Sequence, residues 1–314
     1  MDMNVPHAVL QIPELQIPEN YSVRQPVTES AELSFSPQLR VYFDKEQRAM
    51  WSRWNPEPRP CFNPRLLDGI KRYYDFLAQR GGAIPCGPEE SPVEYVVLAS
   101  GTPGVFNLGG DLDLFKQLIE TRDREGLLNY GRACVEVLYR NYLGHDLHAT
   151  TISLVQGECL GGGFEAALSS DVIIAEKKSR FGFPEILFNL FPGMGAYSFL
   201  KRRVGQKVTE ELIASGKIYS ADDMLALGVV DVVAEDGQGE AEIAAFIKRR
   251  QKTHNGFTAL SGVRRRVDQI DLSELLDIVE LWVDCALRLN LRDLKLMQRL
   301  VSRQNGIGDS QQIH

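Results

Sequence analysis

The sequence predicts an α/β fold built on a largely parallel sheet, followed by a helical C-terminal region. Three β-rich segments, residues 95–100, 151–156 and 172–175, alternate with helical stretches, as strands do in α/β domains. The chain has 314 residues, 44% of them apolar and 25% charged, so it can bury a full core. We expect the α/β core to span residues 33–232 and the helical region to span residues 233–314.

The first 32 residues differ in character from the rest of the chain. They carry four prolines and little hydrophobic periodicity. A near-repeat of Leu-Gln-Ile-Pro occupies residues 10–13 and 15–18. Such a segment is typical of an extended or disordered leader, so we expect residues 1–32 to lie outside the fold.

A hairpin and a helix are predicted to open the core. Two strand-like runs, residues 38–44 and 49–55, are joined by a polar turn, which indicates a hairpin. Asn63 then suits an N-cap and Pro64 suits the first helical position, and a glycine pair that begins at Gly81 ends the pattern. One face of this helix is apolar and consists of Leu66, Leu67, Ile70, Tyr74 and Leu77.

A second amphipathic helix lies in the C-terminal region. Its apolar residues recur at the spacing i, i+3, i+4, i+7 that places them on one face. They are Leu272, Leu275, Leu276, Val279, Trp282 or Val283, and Ala286. Because such a face needs a surface to cover, we expect the C-terminal region to cover the pocket and to take part in oligomerisation.

Charge and cysteine content exclude several classes of protein. The net charge of −7 and the isoelectric point near 5.4 argue against a partner whose phosphates demand a basic surface, such as nucleic acid. No run approaches the roughly 18 apolar residues of a membrane helix, and the start lacks a signal pattern, so we expect a cytoplasmic protein. The five cysteines are widely spaced and odd in number, which indicates neither disulfides nor zinc. We expect no metal and no cofactor.

Two glycine-rich turns, about 50 residues apart, are the most informative motifs. The first is Phe-Asn-Leu-Gly-Gly-Asp at residues 106–111, and the second is Leu-Gly-Gly-Gly-Phe-Glu at residues 160–165. Each follows a β-rich run and precedes a helical pattern. Glycine lets a backbone approach a ligand, and a helix N-terminus presents unpaired N–H groups. Two such turns that converge would form an oxyanion hole.

Two glutamates accompany these turns. Glu165 lies among apolar neighbours in the first turn of the second helix, where desolvation raises a carboxyl pKa as a catalytic acid requires. Glu185 follows Pro184 in a predicted loop, twenty residues further on. Taken singly, each is more often a surface glutamate. Beside an oxyanion hole, the two carboxylates would supply general acid–base chemistry.

Two other interpretations of the glycine turns remain open at this point. The first turn has the residues of an ordinary strand–turn–helix in which Asp111 caps the helix. The second matches a loose dinucleotide fingerprint, Gly161-x-Gly163-x-x-Ala166, with Glu176 ending the next strand. That fingerprint normally opens its domain, whereas here a long folded pattern precedes it. An oxidoreductase is therefore the weaker interpretation.

Residues 155–196, together with residues 106–112, resemble the crotonase (enoyl-CoA hydratase) superfamily. The resemblance spans roughly residues 33–303. It implies a crotonase fold of repeated ββα units that form a spiral core, in a homotrimer or a dimer of trimers. It also implies that the amides of Gly110 and Gly162 form the oxyanion hole. The two hydratase glutamates fall on Glu165 and Glu185.

Residues 187–199, with residues 96–100 and 163–169, more closely resemble the diffusible-signal-factor synthases, which make cis-2-unsaturated fatty acid quorum signals. Ordinary hydratases carry Gly-Gly-Thr-Gln-Arg-Leu where this chain has Gly-Ala-Tyr-Ser-Phe-Leu from residue 195. The resemblance implies a dehydratase (lyase) with thioesterase activity on a 3-hydroxyacyl carrier-protein thioester. Glu185 would remove the Cα proton and Glu165 would protonate the departing hydroxyl, although which does which is open. The alternatives are a CoA-dependent enoyl hydratase and a non-catalytic binder of a signalling partner.

The acyl tail of such a substrate requires an apolar slot. Candidates for substrate contact are the two glycines that precede the donor amides and five apolar side chains, for each of which core packing is the alternative. They are Leu108, Gly109, Leu160, Gly161, Phe188, Met194 and Trp282. The apolar residues Phe188, Phe191, Met194 and Tyr197 would bend the chain toward the cis product.

Partners are predicted less directly. An acyl carrier protein is acidic, so the basic runs at residues 201–203 and 264–266 are candidates to receive it, although such runs are usually solvated helix faces. Acyl-CoA is the alternative form of the substrate. The resemblance to the synthases also implies a sensor kinase receiver domain as a partner.

Overall fold

The computed structural model describes residues 30–299, except Gly87 and His148. Most of the predicted leader, residues 1–29, lies outside the described residues. The strands of the described chain are β1 Ser30–Ser36, β2 Leu39–Asp44, β3 Ala49–Trp54, β4 Ala83–Cys86, β5 Glu89–Pro92, β6 Tyr95–Ser100, β7 Val105–Asn107, β8 Thr150–Val155, β9 Glu158–Leu160, β10 Val172–Glu176, β11 Arg180–Gly182, β12 Ile218–Ser220 and β13 Val232–Ala234.

Helices surround these strands. They are α1 Pro64–Gln79, α2 Leu112–Glu120, α3 Arg124–Tyr142, α4 Gly162–Leu168, α5 Ala196–Ser215, α6 Ala221–Ala226, α7 Gly239–Gln251, α8 His254–Val267 and α9 Leu272–Ala286, with a 3-10 helix at Pro184–Phe188. Residues 291–299 are also helical. None of the described helices is both long and apolar enough to span a membrane.

The larger sheet has the strand order β1-β2-β3-β6-β8-β10-β13 among the described residues. The pairs β1–β2 and β2–β3 are antiparallel, whereas the pairs β3–β6, β6–β8, β8–β10 and β10–β13 are parallel. The predictions of a largely parallel sheet and of a β2–β3 hairpin are therefore confirmed. In the hairpin, Leu39 pairs with Trp54 and Asp44 pairs with Ala49.

A smaller sheet has the order β12-β11-β9-β7. Strands β6, β8 and β10 of the larger sheet are each followed in sequence by a three-residue strand of the smaller sheet, and then by helical structure. This arrangement is the predicted repeat of ββα units. The two glycine turns lie at corresponding places in successive units, after β7 and at the end of β9, so the repeat itself brings them together.

The first helix forms as its capping residues predict. The Asn63 side chain accepts a hydrogen bond from the Leu66 N–H at 2.9 Å, and Pro64 occupies the first helical position. Beyond Arg80, Gly81 has φ +57° and stops the helix. The predicted apolar face is buried.

Two strands cross the boundaries that were predicted for the core. β1 begins at Ser30, so three residues of the predicted leader belong to the sheet. Leu33 and Phe35 alternate with polar residues in β1 and pack on the core, and serines on either side conceal this pattern in the sequence. β13 spans the predicted boundary at residue 232, where Val232 pairs with Ile174 of β10.

The helix α9 covers the core, as its periodicity predicts. Both Trp282 and Val283 are buried. α9 packs closely on α3 at Gly131. A Cβ atom on this glycine would lie only 2.6 Å from Cγ1 of Val279. The glycine therefore permits the close approach of these helices.

Most of the predicted basic surface is engaged within the chain. Arg264 and Arg265 both pair with the buried carboxylate of Asp171, at 2.7 Å for Arg265. Arg203 donates to the carbonyl of Asp171 at 3.2 Å, and Arg202 pairs with Glu274 at 2.9 Å. These guanidinium groups hold α5 and α8 to their neighbours, and the Arg202, Arg203 and Arg265 side chains are largely shielded from solvent. In the two runs, Lys201, Arg264 and Arg266 are exposed.

Candidate active site

A cavity of about 140 Å³ lies where the two glycine turns meet the C-terminal helices. Its polar wall contains Gly110, Gly162, Glu165 and Glu185, which come from the first turn, from α4 and from the 3-10 helix. The predicted apolar contacts also line it, and they are Leu108, Leu160, Phe188, Met194 and Trp282. The structure thus gathers residues that are separated by up to 174 positions in the sequence.

The first glycine turn directs a main-chain amide toward this cavity. Gly109 has φ +94°, which an L side chain rarely adopts. Its carbonyl oxygen accepts a hydrogen bond from the Phe62 N–H at 2.8 Å. In a trans peptide the N–H points opposite to the C=O, so the Gly110 N–H points away from Phe62 and toward the cavity that Gly110 lines.

The second turn repeats this arrangement. Gly161 has φ +51°, and its carbonyl oxygen accepts from the N–H groups of Phe164 and Glu165 at 2.8 and 3.0 Å. The Gly162 N–H at the other end of that peptide faces the opposite way. Gly162 is also the first residue of α4, so its N–H has no acceptor within the helix. Across the described chain, neither the Gly110 nor the Gly162 amide donates to a protein acceptor.

The two turns lie against each other through main-chain atoms. A Cβ atom at Gly109 would lie 2.9 Å from the Gly162 nitrogen. A Cβ atom at Gly162 would lie 3.3 Å from the Gly109 Cα, and one at Gly163 would lie only 2.1 Å from the Asn107 oxygen. The predicted convergence of the turns is therefore a feature of the structure, and it depends on the absence of side chains at these positions.

Glu165 is 1% exposed. Its Oε1 atom accepts hydrogen bonds from the N–H groups of Met194 and Ala196 at 2.7 and 2.9 Å. Burial raises the pKa of Glu165 to about 7, against the opposing effect of these hydrogen bonds. The apolar neighbours in the sequence predict this shift.

Glu185 lies on the 3-10 helix and not in a solvated loop. Its Oε2 atom is buried and has no hydrogen-bond partner in the described structure. Burial, and then the nearby charge of Glu165, raise the pKa of Glu185 to about 8. The absence of a side chain at Gly161 leaves room for this carboxyl group, because a Cβ atom at Gly161 would lie 2.4 Å from Oε1 of Glu185.

The two carboxyl groups titrate as a pair, since each disfavours the charge of the other. With pKa values of about 7 and about 8, the pair carries about one proton near pH 7.5, midway between the two values. One carboxylate and one carboxylic acid in the same cavity are what general acid–base chemistry requires.

These shifts predict how stability depends on pH. A carboxyl whose pKa is raised on folding binds its proton more tightly in the folded state, so its contribution favours folding at low pH and is lost between pH 4.5 and about 8. For Glu165 the loss is on the order of 3 kcal/mol. We expect Glu165→Gln to become more stable than the wild type as pH rises from 5 to 9. Urea unfolding across that range measures the difference, and parallel curves for the two proteins would contradict it.

The apolar wall contains more residues than the sequence indicates. Phe115 of α2 contacts Trp282 of α9 edge to face, with ring centroids 4.9 Å apart, and both side chains line the cavity. Further lining residues are Leu112, Leu187, Leu190 and Ile218. Gly109 and Gly161, which we expected to contact the substrate, are not among the lining residues. They lie behind the wall and set the directions of the amides that follow them.

Tyr130 and Glu158 also line the cavity and were missed by the sequence reasoning. Tyr130 lies in the interior of α3, where nothing in its local sequence distinguishes it from a core aromatic residue. Glu158 opens the three-residue strand β9, which is too short to show a periodicity. Only the assembled fold places these side chains at the site.

The structure also decides between the earlier interpretations of the turns. Asp111 does cap α2, because its side chain accepts from the Leu114 N–H at 3.3 Å. This cap is compatible with the role of the neighbouring glycines. Glu176, the acidic residue of the dinucleotide fingerprint, instead accepts from Gln156 at 2.7 Å and from the Gly239 N–H at the start of α7 at 3.2 Å. Its carboxylate holds α7 to the sheet.

A core of repeated ββα units, whose two glycine turns converge on one cavity, fits the crotonase fold that the sequence resemblance implies. Comparison with known families agrees: the enoyl-CoA hydratase/isomerase model matches residues 88–262. The chain belongs to the enoyl-CoA hydratase/isomerase family, within the crotonase superfamily, and the resemblance inferred from the sequence is confirmed.

The alignments with curated relatives cover only part of the length of those proteins. The chain is 30% identical to the fatty acid oxidation complex subunit alpha of Pseudomonas aeruginosa over 173 residues. This aligned region covers 55% of this chain and 24% of that protein. It is 27% identical to the probable mitochondrial enoyl-CoA hydratase 2 of Arabidopsis thaliana over 216 residues. This aligned region covers 68% of this chain and 65% of that protein. The chain thus spans under two thirds of these relatives.

Solved structures share the fold at low identity. Pseudomonas aeruginosa DspI matches with a TM-score of 0.60 and 21% identity, over 77% of this chain and 92% of that one. The human mitochondrial delta3-delta2-enoyl-CoA isomerase matches with a TM-score of 0.67 and 19% identity, over 85% and 97%. These similarities establish the crotonase fold.

Proposed function

We propose that this chain makes a cis-2-unsaturated fatty acid by dehydrating a 3-hydroxyacyl carrier-protein thioester and then hydrolysing the thioester. The observation that carries the proposal is the pair of buried carboxyl groups, Glu165 and Glu185, beside the inward amides of Gly110 and Gly162 in a largely apolar cavity. The residues that resemble the signal synthases supply the choice of product.

The dehydration step uses all four groups. The thioester oxygen accepts from the Gly110 and Gly162 amides, which stabilise the enolate charge, each by on the order of 10²–10³ in rate. Glu185 removes the Cα proton, and the step uses the minor one-proton form of the pair, in which Glu185 is ionised and Glu165 is protonated, because the higher pKa belongs to Glu185. Glu165 gives its proton to the departing 3-hydroxyl, which leaves as water.

Hydrolysis then restores the starting state of the pair. After dehydration, Glu185 holds the proton and Glu165 is ionised. Glu165 takes a proton from water as that water attacks the thioester carbonyl, and the same two amides stabilise the tetrahedral oxyanion. Glu185 protonates the departing thiolate. One proton has moved to Glu165 and one has left Glu185, so a second cycle can begin.

A non-catalytic binder accounts poorly for these carboxyl groups. No described Lys or Arg pairs with Glu165 or Glu185, and burial of an unpaired carboxylate opposes folding. A protein that only binds a partner gains nothing in return for this cost. A catalyst gains an acid and a base that exchange protons near neutral pH.

The cis geometry is assigned to two side chains. Phe188 and Met194 line the cavity, and the Met194 sulfur lies 2.5 Å from where a Cβ of Gly162 would be. Tyr197 is exposed and its hydroxyl bonds to Glu210 at 3.0 Å, so it is not part of the wall. Phe191 is half-buried outside the lining. The bend in the acyl chain is thus proposed to come from Phe188 and Met194.

A CoA-dependent enoyl hydratase is the second candidate. The family match and the Arabidopsis relative favour it, and it would use the same four groups. A hydratase must preserve its thioester, whereas a signal synthase must release a free acid. The product therefore separates the two functions.

The test supplies purified protein with a medium-chain 3-hydroxyacyl carrier-protein thioester and, separately, with the matching CoA thioester. We expect free cis-2-enoic acid and free carrier thiol, without added metal or nicotinamide. Mass spectrometry identifies the acid, and a thiol reagent counts the released carrier. Reversible formation of a trans-2-enoyl thioester from the CoA substrate, without release of thiol, would establish the hydratase in place of the synthase.

A homo-oligomer remains part of the proposal, as a trimer or a dimer of trimers. The helix α8 has no buried residue in the single chain. It exposes Leu260, Val263 and Val267. A second copy that covers this face would remove the apolar surface from water.

A further inference from the structure

The segment at residues 59–62 runs beside the first glycine turn and is hydrogen-bonded to it. The Leu108 N–H donates to the Pro60 oxygen at 2.8 Å, and the Phe62 N–H donates to the Gly109 oxygen at 2.8 Å. This segment therefore fixes the peptide plane whose far end is the Gly110 N–H. None of residues 59–62 lines the cavity.

Arg59 extends this support to the next residue and to α2. Its guanidinium donates to Asp111 at 2.8 Å and also to Asp113 in the first turn of α2. The Arg59 side chain is only 11% exposed. A planar guanidinium that joins two carboxylates restricts their relative positions more than a single ion pair does.

Tyr130 holds the other side of the turn. Its hydroxyl accepts from the Asp111 N–H at 3.1 Å and donates to the Phe62 carbonyl oxygen. The single hydroxyl proton is thereby committed to the main chain. Although Tyr130 lines the cavity, it is placed to hold the Gly110–Asp111 peptide and not to transfer a proton to a substrate.

We propose that Arg59 and Tyr130 are positioning residues that set the direction of the Gly110 amide. Gly110 lies between two peptide planes, one fixed by Phe62 at the Gly109 oxygen and one fixed by Tyr130 at the Asp111 N–H. A hydrogen bond weakens steeply as its angle departs from linear, so a small rotation of Gly110 lowers the stabilisation of an oxyanion. The inference rests on the proposed function of Gly110 as a donor to the thioester oxygen.

Misalignment of the Gly110 amide should slow the chemical step more than it weakens substrate binding. An oxyanion carries more charge than the ground-state carbonyl, so misalignment of its donor costs more in the transition state than in substrate binding. We expect Tyr130→Phe and Arg59→Ala to lower kcat by about ten- to a hundredfold, with KM changed by less than about threefold. The pH values at which the two limbs of the rate profile fall should not move, because neither residue exchanges a proton with the substrate.

The matched control is Arg140→Ala. Arg140 also pairs with a carboxylate, Asp75 at 2.6 Å, and joins α3 to α1 away from the cavity. This variant should lose stability but keep kcat. Arg59→Lys is the conservative variant. A single ammonium group cannot bind both carboxylates as the planar guanidinium does, so this variant should recover only part of the lost kcat.

A spectroscopic measurement tests the amide directly. A saturated acyl pantetheine thioester with a 13C-labelled carbonyl is bound to Glu185→Gln and to the same protein with Tyr130→Phe or Arg59→Ala added. The carbonyl stretch should move to lower frequency on binding and return toward its solution value in the double variants. With Arg140→Ala added, the bound frequency should stay unchanged.

The outcomes are distinct. Unchanged kcat and unchanged carbonyl frequency in folded Tyr130→Phe and Arg59→Ala would overturn the inference, and so would displaced pH limbs. If the wild type consumes no thioester but still shifts the bound carbonyl, and the double variants abolish that shift, the proposed function fails while the positioning role stands.

Discussion

Glu165→Gln and Glu185→Gln should each lower the rate of formation of the unsaturated acid by roughly 10²–10⁴-fold, since an amide neither accepts nor donates the proton at these steps. The fold should be retained. In Glu165→Gln the amide oxygen can still accept from the Met194 and Ala196 N–H groups. Turnover by mass spectrometry and thermal melting at pH 8 measure the two effects.

Glu176→Gln is the matched control for this prediction. Glu176 is buried to a similar degree as Glu165, but its partners are Gln156 and the Gly239 N–H, outside the cavity. Its replacement should affect melting and leave turnover near the wild-type value. Near-normal turnover in a folded Glu165→Gln or Glu185→Gln protein would remove that carboxylate from the mechanism.

Neighbouring glycines in the second turn should respond to substitution in opposite ways. Gly162→Val places methyl groups where the thioester oxygen must reach its donor, so activity should fall by on the order of 10²–10³ or more. Stability should fall less than activity does, because the closest atom to the new Cβ is the sulfur of the flexible Met194 side chain, although the Gly109 Cα also lies 3.3 Å from it. Gly163→Ala meets the main-chain oxygen of Asn107 at 2.1 Å and should lose stability beyond the usual 1–3 kcal/mol of overpacking.

Turnover and urea unfolding on both proteins measure this contrast. A Gly162→Val protein that unfolds in proportion to its loss of activity would show that this glycine serves only the turn. A stable Gly163→Ala protein would show that the two turns can separate, contrary to the close packing at Asn107.

Much of the site could be predicted because its chemistry is concentrated in two short motifs. The requirement for glycine at Gly109 and Gly161 is local, and it marks both donor amides. The raised pKa of Glu165 follows from the apolar residues around it in its own helix. Glu185 was a weaker candidate from the sequence, as a glutamate in a predicted loop, because its burial depends on Gly161 and Glu165, which are distant in sequence.

Other features of the structure have no local signal. The strands β7, β9 and β11 have three residues each, too few to show an alternation. Arg264 looks like part of a solvated basic run until the fold brings Asp171 beneath it. The contribution of Tyr130 depends on two main-chain groups, at Phe62 and Asp111, that the fold brings together. Such roles arise from tertiary contacts and not from the residue types.

The contact between the two glycine turns means that the main-chain groups and the side chains of the cavity can change independently in evolution. Both proposed donors are main-chain amides, so mutations in the surrounding side chains cannot delete them as long as the backbone path survives. The apolar wall that is proposed to hold the acyl group, with Phe115, Phe188 and Trp282, can therefore change while these amides stay in place. A protein built this way can acquire new substrates through mutations that leave its charge-stabilising apparatus intact, which makes the scaffold a favourable starting point for directed evolution.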